Sequence, residues 1–152
     1  MFRFKNILLS AFVTLLATTG HASADEPGEP IGYVMKVEGE AIVVTRGQAL
    51  PASVGQAVML GAELRTGGDG ALGVTLTDNT VMSFGPNTSL TVDEYLFTPA
   101  QEQLRLSARI SRGTMNFISG VIAKLKPEAV EINTPTGTIG VRGTHFLVKV
   151  DK

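Results

Sequence analysis

Short runs of alternating apolar and polar residues, separated by glycine, proline or Asp-Asn, cover most of the chain from Ile31 onward. Alternation with a period of two places apolar side chains on one face of a strand, and closely spaced runs of this kind are typical of all-β domains. The predicted strands are Gly32–Val37, Ala41–Arg46, Ala57–Leu60, Ala71–Leu76, Val81–Phe84, Ser89–Glu94, Gln103–Arg109, Thr114–Ile118, Ala129–Asn133, Thr138–Val141 and His145–Val150. Asp78-Asn79 predicts a tight hairpin turn, because both residue types tolerate positive φ.

Helical periodicity is weak throughout the part of the chain that follows residue 24. The best candidate is Asn116–Lys126, which a glycine interrupts and a proline follows, so we expect at most one short turn there. A glycine and a small residue precede an apolar alternation at three places: Gly70, Gly113 and Gly143. The sequence therefore predicts an all-β single domain of many short strands, arranged as a β-sandwich or like a β-solenoid of stacked coils.

The N-terminal residues have the pattern of an export signal. Arg3 and Lys5 are followed by the apolar stretch Ile7–Thr19 and by the small residues Ala22-Ser23-Ala24. The apolar stretch is shorter than the roughly 20 residues that span a bilayer, which favours a cleaved signal peptide over an uncleaved anchor, the alternative left open. We predict a signal peptide at residues 1–24, a flexible lead-in at 25–31, a β domain at 32–150 and a periplasmic location with no stable membrane anchor.

Composition narrows the classes of function. Cleavage after residue 24 removes two of the 13 basic residues and none of the 14 acidic ones, so the mature charge is 11 minus 14, or −3. A weakly acidic chain has no electrostatic case for binding nucleic acid. The chain has no cysteine, which excludes disulfides, zinc sites built on thiolates and a lipoprotein anchor. Its stability must come from one packed core.

Few residues are candidates for chemistry. His145 is the single histidine after residue 24, and it alternates with Phe146, Val148 and Val150, so we place it on the less buried face of a terminal strand. The adjacent carboxylates Asp93 and Glu94 are expected on opposite faces of a strand. No converging partners can be named for a triad or a metal site, and we expect no catalytic residues, no metal and no cofactor.

Arg142 stands out among small and apolar neighbours. The apolar residues before it are odd-numbered and those after it are even-numbered, which predicts a bulge or corner at Gly143. We expect Arg142 to be buried across this corner and to bind backbone carbonyls or a carboxylate. A role in binding a partner is the alternative.

The segment Glu131–Phe146 resembles the signature of the FecR domain family, in which a Thr-Pro pair leads to a Val-Arg-Gly-Thr block followed by phenylalanine. The residues that carry this signature, and to which we assign a structural role, are Thr134, Pro135, Gly140, Val141, Arg142, Gly143, Thr144 and Phe146. Weaker similarity extends from Gly32 to Val150.

The resemblance implies a β-rich periplasmic domain. The best-known members of the family pass a signal from an outer-membrane transporter to a cytoplasmic sigma factor, and they carry an internal transmembrane helix where this chain has a signal-peptide pattern. We therefore expect an exported, non-enzymatic FecR-type domain that binds a protein or a cell-envelope ligand. A sensor subunit of a sigma-factor signalling system and a hydrolase of envelope polymers are the alternatives.

Overall fold

A computed structural model describes residues 28–151 of the chain. The predicted signal peptide and residues 25–27 of the lead-in lie outside this part. The described residues form twelve strands and one short helix, α1 (Val121–Leu125), so the all-β prediction is confirmed. The strands are β1 (Gly32–Glu38), β2 (Ala41–Thr45), β3 (Gln48–Pro51), β4 (Ala57–Val58), β5 (Glu63–Thr66), β6 (Ala71–Leu76), β7 (Val81–Phe84), β8 (Ser89–Thr98), β9 (Gln103–Ile118), β10 (Val130–Thr134), β11 (Gly137–Gly140) and β12 (His145–Val150).

Two strands escape the sequence prediction. β3 is exposed at every position and contains Pro51, so it has no alternation to reveal it. β5 is four residues long and begins with an ion-paired Glu63, although its alternate residues Leu64 and Thr66 are buried. Both are short, and they form because a neighbouring strand offers them a hydrogen-bonded edge.

The strands form one curled sheet, in which β9 is the strand that connects the two halves. The first half of β9 lies between β8 and β10, and its second half lies between β7 and β12. Every strand pair of the described residues is antiparallel except β9 with β10. Stacked coils of a solenoid would pair strands in parallel, so the solenoid-like alternative does not describe this sheet.

A glycine bends β9 where it passes from one half of the sheet to the other. Leu106 and Ile110 point into the core before the bend, whereas Met115 and Phe117 do so after it, which is a change from even to odd positions. Gly113 lies between them with φ +93, a conformation that side chains other than glycine rarely adopt. The sequence predicts two strands here, and the structure has one continuous strand of 16 residues.

The core is one contiguous cluster that both halves of the sheet share. Its largest fully buried side chains are Phe117, Leu64, Leu72, Leu76, Met82, Leu90, Leu106, Ile110, Met115, Ile122, Ile132 and Val34. One core for the described residues agrees with the expectation of a single domain.

The turn between β6 and β7 has a buried carboxylate at its centre. Asn79 adopts φ +67, which confirms the predicted Asp78-Asn79 turn. Asp78 is fully buried and accepts hydrogen bonds from Thr80 and from the backbone N–H of Ile122 in α1. Tyr95 of β8 also bonds to it, and burial raises the pKa of this phenol to about 12. The turn, β8 and α1 are thus joined through one side chain.

Candidate functional site

The signature segment (Thr134–Val150) forms most of the wall of an open groove. Residues 134–139, from the hairpin of β10 and β11, line one side, and residues 147–151, from the end of β12, line the other. The groove has a volume of about 490 Å³. Ligand sites in proteins commonly enclose about 300–1,000 Å³, so this groove is large enough to hold a ligand.

The hairpin wall uses its own polar side chains internally. Pro135 and Thr136 form the two-residue connection between β10 and β11. Thr134 Oγ1 donates to the carbonyl of Gly137 at 2.9 Å, and Thr138 Oγ1 donates to Asn133 Oδ1 at 2.7 Å. These bonds stiffen the hairpin and leave few hydroxyl donors directed at a ligand.

Ser119 holds the corner at Gly143. The chain bends at Gly143, whose φ is +120, as the change in apolar phase predicts. Ser119 Oγ donates to the carbonyl of Gly143, and the Ser119 N–H donates to the carbonyl of Thr144, both at 2.8 Å. Ser119 is only 5% exposed, so these bonds are shielded from water.

The prediction that Arg142 is buried and clamps this corner is wrong. Arg142 is exposed, and within residues 28–151 its side chain makes neither a hydrogen bond nor an ion pair. Val141 is the buried residue of the corner. Only one of two consecutive residues can face the core here, and the apolar side chain takes that position because it needs no hydrogen-bond partners.

Replacing Arg142 by alanine is therefore expected to change the melting temperature by no more than about 1–2 °C, since surface substitutions usually stay within about 0.5 kcal/mol. Ser119→Ala is the matched variant, and we expect it to lower the melting temperature by about 4–10 °C, because it removes a buried donor at about 1–3 kcal/mol. Thermal unfolding followed by circular dichroism measures both. A large fall in the melting temperature of Arg142→Ala would instead support the role of Arg142 in holding the corner.

β12 follows the face assignment that its sequence predicts. Val148 is buried, and Phe146 stacks on Phe117 with ring centroids 4.8 Å apart. His145 and Leu147 are exposed on the opposite face, where His145 Nε2 forms a hydrogen bond with Asn116 Oδ1. In the described part of the chain, no three His, Cys, Asp or Glu side chains come together as a group that could hold a metal ion.

The outer face of β8, β9 and β10 carries ion pairs. Asp93 pairs with Arg109 at 3.0 Å, and Arg105 pairs with both Glu94 and Glu131, at 3.1 and 3.0 Å. The prediction that Asp93 and Glu94 lie on opposite faces is wrong, because a register shift between Val92 and Glu94 interrupts the alternation and leaves both carboxylates exposed. Each pairs with a different arginine, so the two do not form an acid–base pair.

A further ion pair lies on β5 and contacts β8. Arg65 donates two hydrogen bonds to Glu63, at 2.8 and 2.7 Å, and Ser89 Oγ donates a third at 2.7 Å. The bonds from Arg65 are the main cause that lowers the pKa of Glu63 to about 2, from an ordinary value of 4.5.

Glu63 gives the folding stability a dependence on acid pH. Because its pKa is lower in the folded state, its contribution is complete above pH 4.5 and is lost as the pH falls from 4.5 towards 2. We expect Glu63→Gln to make the free energy of unfolding depend less on pH between 4.5 and 2. The difference should be less than about 1 kcal/mol, because water screens the half-exposed ion pair. Urea unfolding at a series of pH values measures it, and parallel curves for the two proteins would contradict the assignment.

The structure thus brings the signature residues to one place. Pro135 and Gly140 lie on the hairpin, Arg142 and Thr144 are exposed at the corner, and Phe146 packs on the core. Two further residues contact this segment and could not be identified from the sequence. Asn116 lies in β9 and bonds to His145, and Ser119 lies just after β9 and bonds to Gly143. Their only sequence signal is a polar residue within an otherwise apolar stretch, which is too common to be diagnostic.

Comparison with known proteins agrees with this picture. The family model described as FecR protein matches residues 62–152, which is more than half of the chain and includes the whole signature segment. The predicted similarity of residues 32–61 lies outside this match. Searches of curated proteins and of solved structures found no significant match. No helix among residues 28–151 is long and apolar enough to cross a membrane. The family takes part in sigma-factor signalling, and on the strength of its match this chain belongs to the FecR protein family.

Proposed function

We propose that this protein is an exported, non-enzymatic FecR-type domain that binds a protein or another component of the cell envelope. The observation that carries the proposal is the groove: the segment most specific to the family lines an open surface, 490 Å³ in volume, on which no acid–base pair converges. A surface of this kind is suited to binding, since catalysis requires a base, a nucleophile and an orienting group within hydrogen-bond reach. Membership in a family of signalling regulators supports the same reading.

Export is the first part of the proposal to test. The apolar stretch and the small residues before Asp25 support cleavage and a periplasmic location. Mass spectrometry of the protein recovered from the cell envelope is expected to show a mature chain that begins at Asp25. A chain that retains residues 1–24 would contradict cleavage and would favour an anchored protein.

Binding at the groove is tested by site-specific photo-cross-linking in living cells. A photoreactive amino acid at Thr138, which is exposed on the hairpin wall, is expected to yield a defined adduct with an envelope component. Val54 is a matched control, because it is 68% exposed and is not among the groove residues. Adducts from both positions, or from neither, would argue against a binding role for the groove.

A second candidate function follows from the family match. As a member of a family involved in sigma-factor signalling, the protein is a candidate sensor subunit that works with a separate membrane protein. Deleting the gene is then expected to change transcription from the promoters of a sigma factor encoded nearby. Unchanged transcription would remove this candidate and leave the general binding function intact.

A further inference from the structure

β12 is the longest strand of the described sheet that pairs with a single neighbour. It has six residues and pairs only with β9, whereas the other strands with one neighbour, β3, β4 and β11, have four, two and four residues. Proteins usually protect such edges with proline, with a bulge, with charged side chains or by making them very short. β3 ends in Pro51, whereas β12 carries one lysine, Lys149, and contains neither proline nor a register shift.

The register of β12 shows which of its backbone groups have no partner among residues 28–151. The Ser119 N–H bonds to the carbonyl of Thr144, and alternate residues of an antiparallel strand direct their N–H and C=O to the same side. Phe146 and Val148 therefore direct these groups towards β9. Leu147 and Lys149 direct theirs away from β9, towards the open edge that lines the groove.

Few other polar groups in the groove remain available to a ligand. The hydroxyls of Thr134 and Thr138 donate within the hairpin, and Lys149 Nζ lies 3.4 Å from a carboxylate oxygen of Asp151. Beside the free backbone groups, the groove also exposes apolar side chains: Leu147 is 71% exposed and Ile139 is 38% exposed. A glycan would need many side-chain donors and acceptors, whereas a polypeptide backbone satisfies the free groups of an edge strand directly.

We propose that the ligand of the groove is a single extended polypeptide segment of a partner protein, which adds to the open edge of β12 as a further strand. This inference rests on the proposed binding function and names its site and the class of ligand. The β10–β11 hairpin lines the other side of the groove, which holds about 490 Å³, so we expect one extended segment to reach the edge of β12 more easily than the edge of a second sheet. A chain terminus or an unfolded linker of the partner has this form.

The geometry also defines the pattern of the segment. Residues 147–151 offer an edge of about 16 Å at roughly 3.3 Å per residue. Side chains of an added strand alternate between the two faces, one beside Val148 and Val150 and the other beside Leu147. We therefore expect apolar residues at alternate positions, since they extend the apolar rows of β12.

The test uses random linear peptides displayed on phage, selected against the purified protein and then synthesised. Selected peptides are expected to show alternating apolar residues and to slow amide hydrogen exchange at Leu147 and Lys149, the residues with free N–H groups. Methylating alternate backbone nitrogens of a selected peptide is expected to weaken binding by about tenfold or more when the methylated nitrogens face β12.

Leu147→Pro is the decisive variant. Proline removes the free N–H and places its ring on the edge, and it is tolerated on an edge strand where the N–H faces away from the sheet. Leu147→Ala is the matched control, because it removes the same side chain and keeps the backbone donor. We expect proline to weaken peptide binding about tenfold more than alanine does. Lys149→Pro is the second variant if the first one fails to fold.

Three results would overturn the inference. The first is that no linear peptide is enriched, and the second is that Leu147→Pro binds the selected peptides as Leu147→Ala does. The third is a concentration-dependent dimer of the protein that Leu147→Pro abolishes, because a second copy would then be the occupant. If the envelope component cross-linked at Thr138 still binds Leu147→Pro normally, the inference fails while the proposed binding function stands.

Discussion

Replacing Asp78 by alanine is expected to lower the melting temperature by about 10–20 °C. The carboxylate is fully buried, and Thr80 N and Ile122 N each donate to it at 3.1 Å. Without it, both backbone donors are buried with no acceptor, at about 1–3 kcal/mol each, or about 2–6 kcal/mol together. Water has little access to either group, which prevents solvent from replacing the lost bonds.

Two further variants test whether the loss of stability comes from the hydrogen bonds of Asp78 or from removing a negative charge. Asp78→Asn keeps one acceptor oxygen but presents an NH₂ group to a buried donor, so we expect an intermediate loss of stability. Asp151→Ala removes a carboxylate whose side chain is 79% exposed, and it is expected to leave the melting temperature unchanged within about 1–2 °C. Thermal unfolding measures all three, and a similar small effect for Asp78→Ala and Asp151→Ala would show that the network does not stabilise the fold.

Gly113→Ala is the second prediction with a large effect. A Cβ on Gly113 would lie 2.7 Å from Thr88 Cβ and closer still to the Thr88 Cα, and Thr88 is fully buried. The φ of +93 adds strain for any side chain, at about 1–3 kcal/mol, and the overpacking adds about 1–3 kcal/mol, so we expect a loss of about 2–6 kcal/mol. Thr88 itself accepts the Thr114 N–H and donates to the carbonyl of Gly85, so it cannot move without breaking these bonds.

Gly140→Ala is the matched control, because it lies in the signature segment but has no atom within 4 Å of the position of a Cβ. Its φ is not among the positive values, so alanine fits the backbone. We expect its melting temperature to stay within about 1–2 °C of the parent, or to rise slightly. Thermal unfolding of the two variants side by side checks the pair; equal losses would mean that the bend of β9 is not what makes Gly113 necessary.

The family signature therefore contains positions with different physical roles. Gly143 adopts φ +120 at the corner, and Val141 fills the core beside it, whereas Gly140 and Arg142 are exposed and free of such constraints. Because Arg142 is exposed, the alternative of a partner-binding arginine is the relevant one. The photo-cross-linking experiment at Thr138 can be repeated with Arg142→Ala to measure it, and a weaker adduct with an unchanged melting temperature is the expected result.

Much of the local structure could be predicted from the residues alone. Alternation identifies β1, β7 and β12, because each buries one face and leaves the other more exposed, and it identifies β6 through the buried apolar residues at its alternate positions. Asp78-Asn79 marks its turn through the conformations that these residues tolerate. The signature identifies the family. In contrast, β3 and β5 carry little pattern of their own: β3 forms on the edge of the preceding strand β2, and β5 forms between β2 and β8.

The tertiary structure alone decided how these pieces serve a site. β9 could not be recognised as one strand from the sequence. The buried positions change from even to odd at Gly113, which indicates the end of a strand unless the pairing strands on each side of the bend are known. Asp78 accepts a hydrogen bond from Ile122, which lies 44 residues later in the chain. The corner beside Arg142 is held by Ser119, which lies outside the signature segment. The sequence by itself determined most of the strands, the Asp78-Asn79 turn and the family. Only the packing of strands that are distant in sequence decided which polar groups have hydrogen-bond partners and which edge of β12 remains open. These properties depend on contacts between residues that are far apart along the chain.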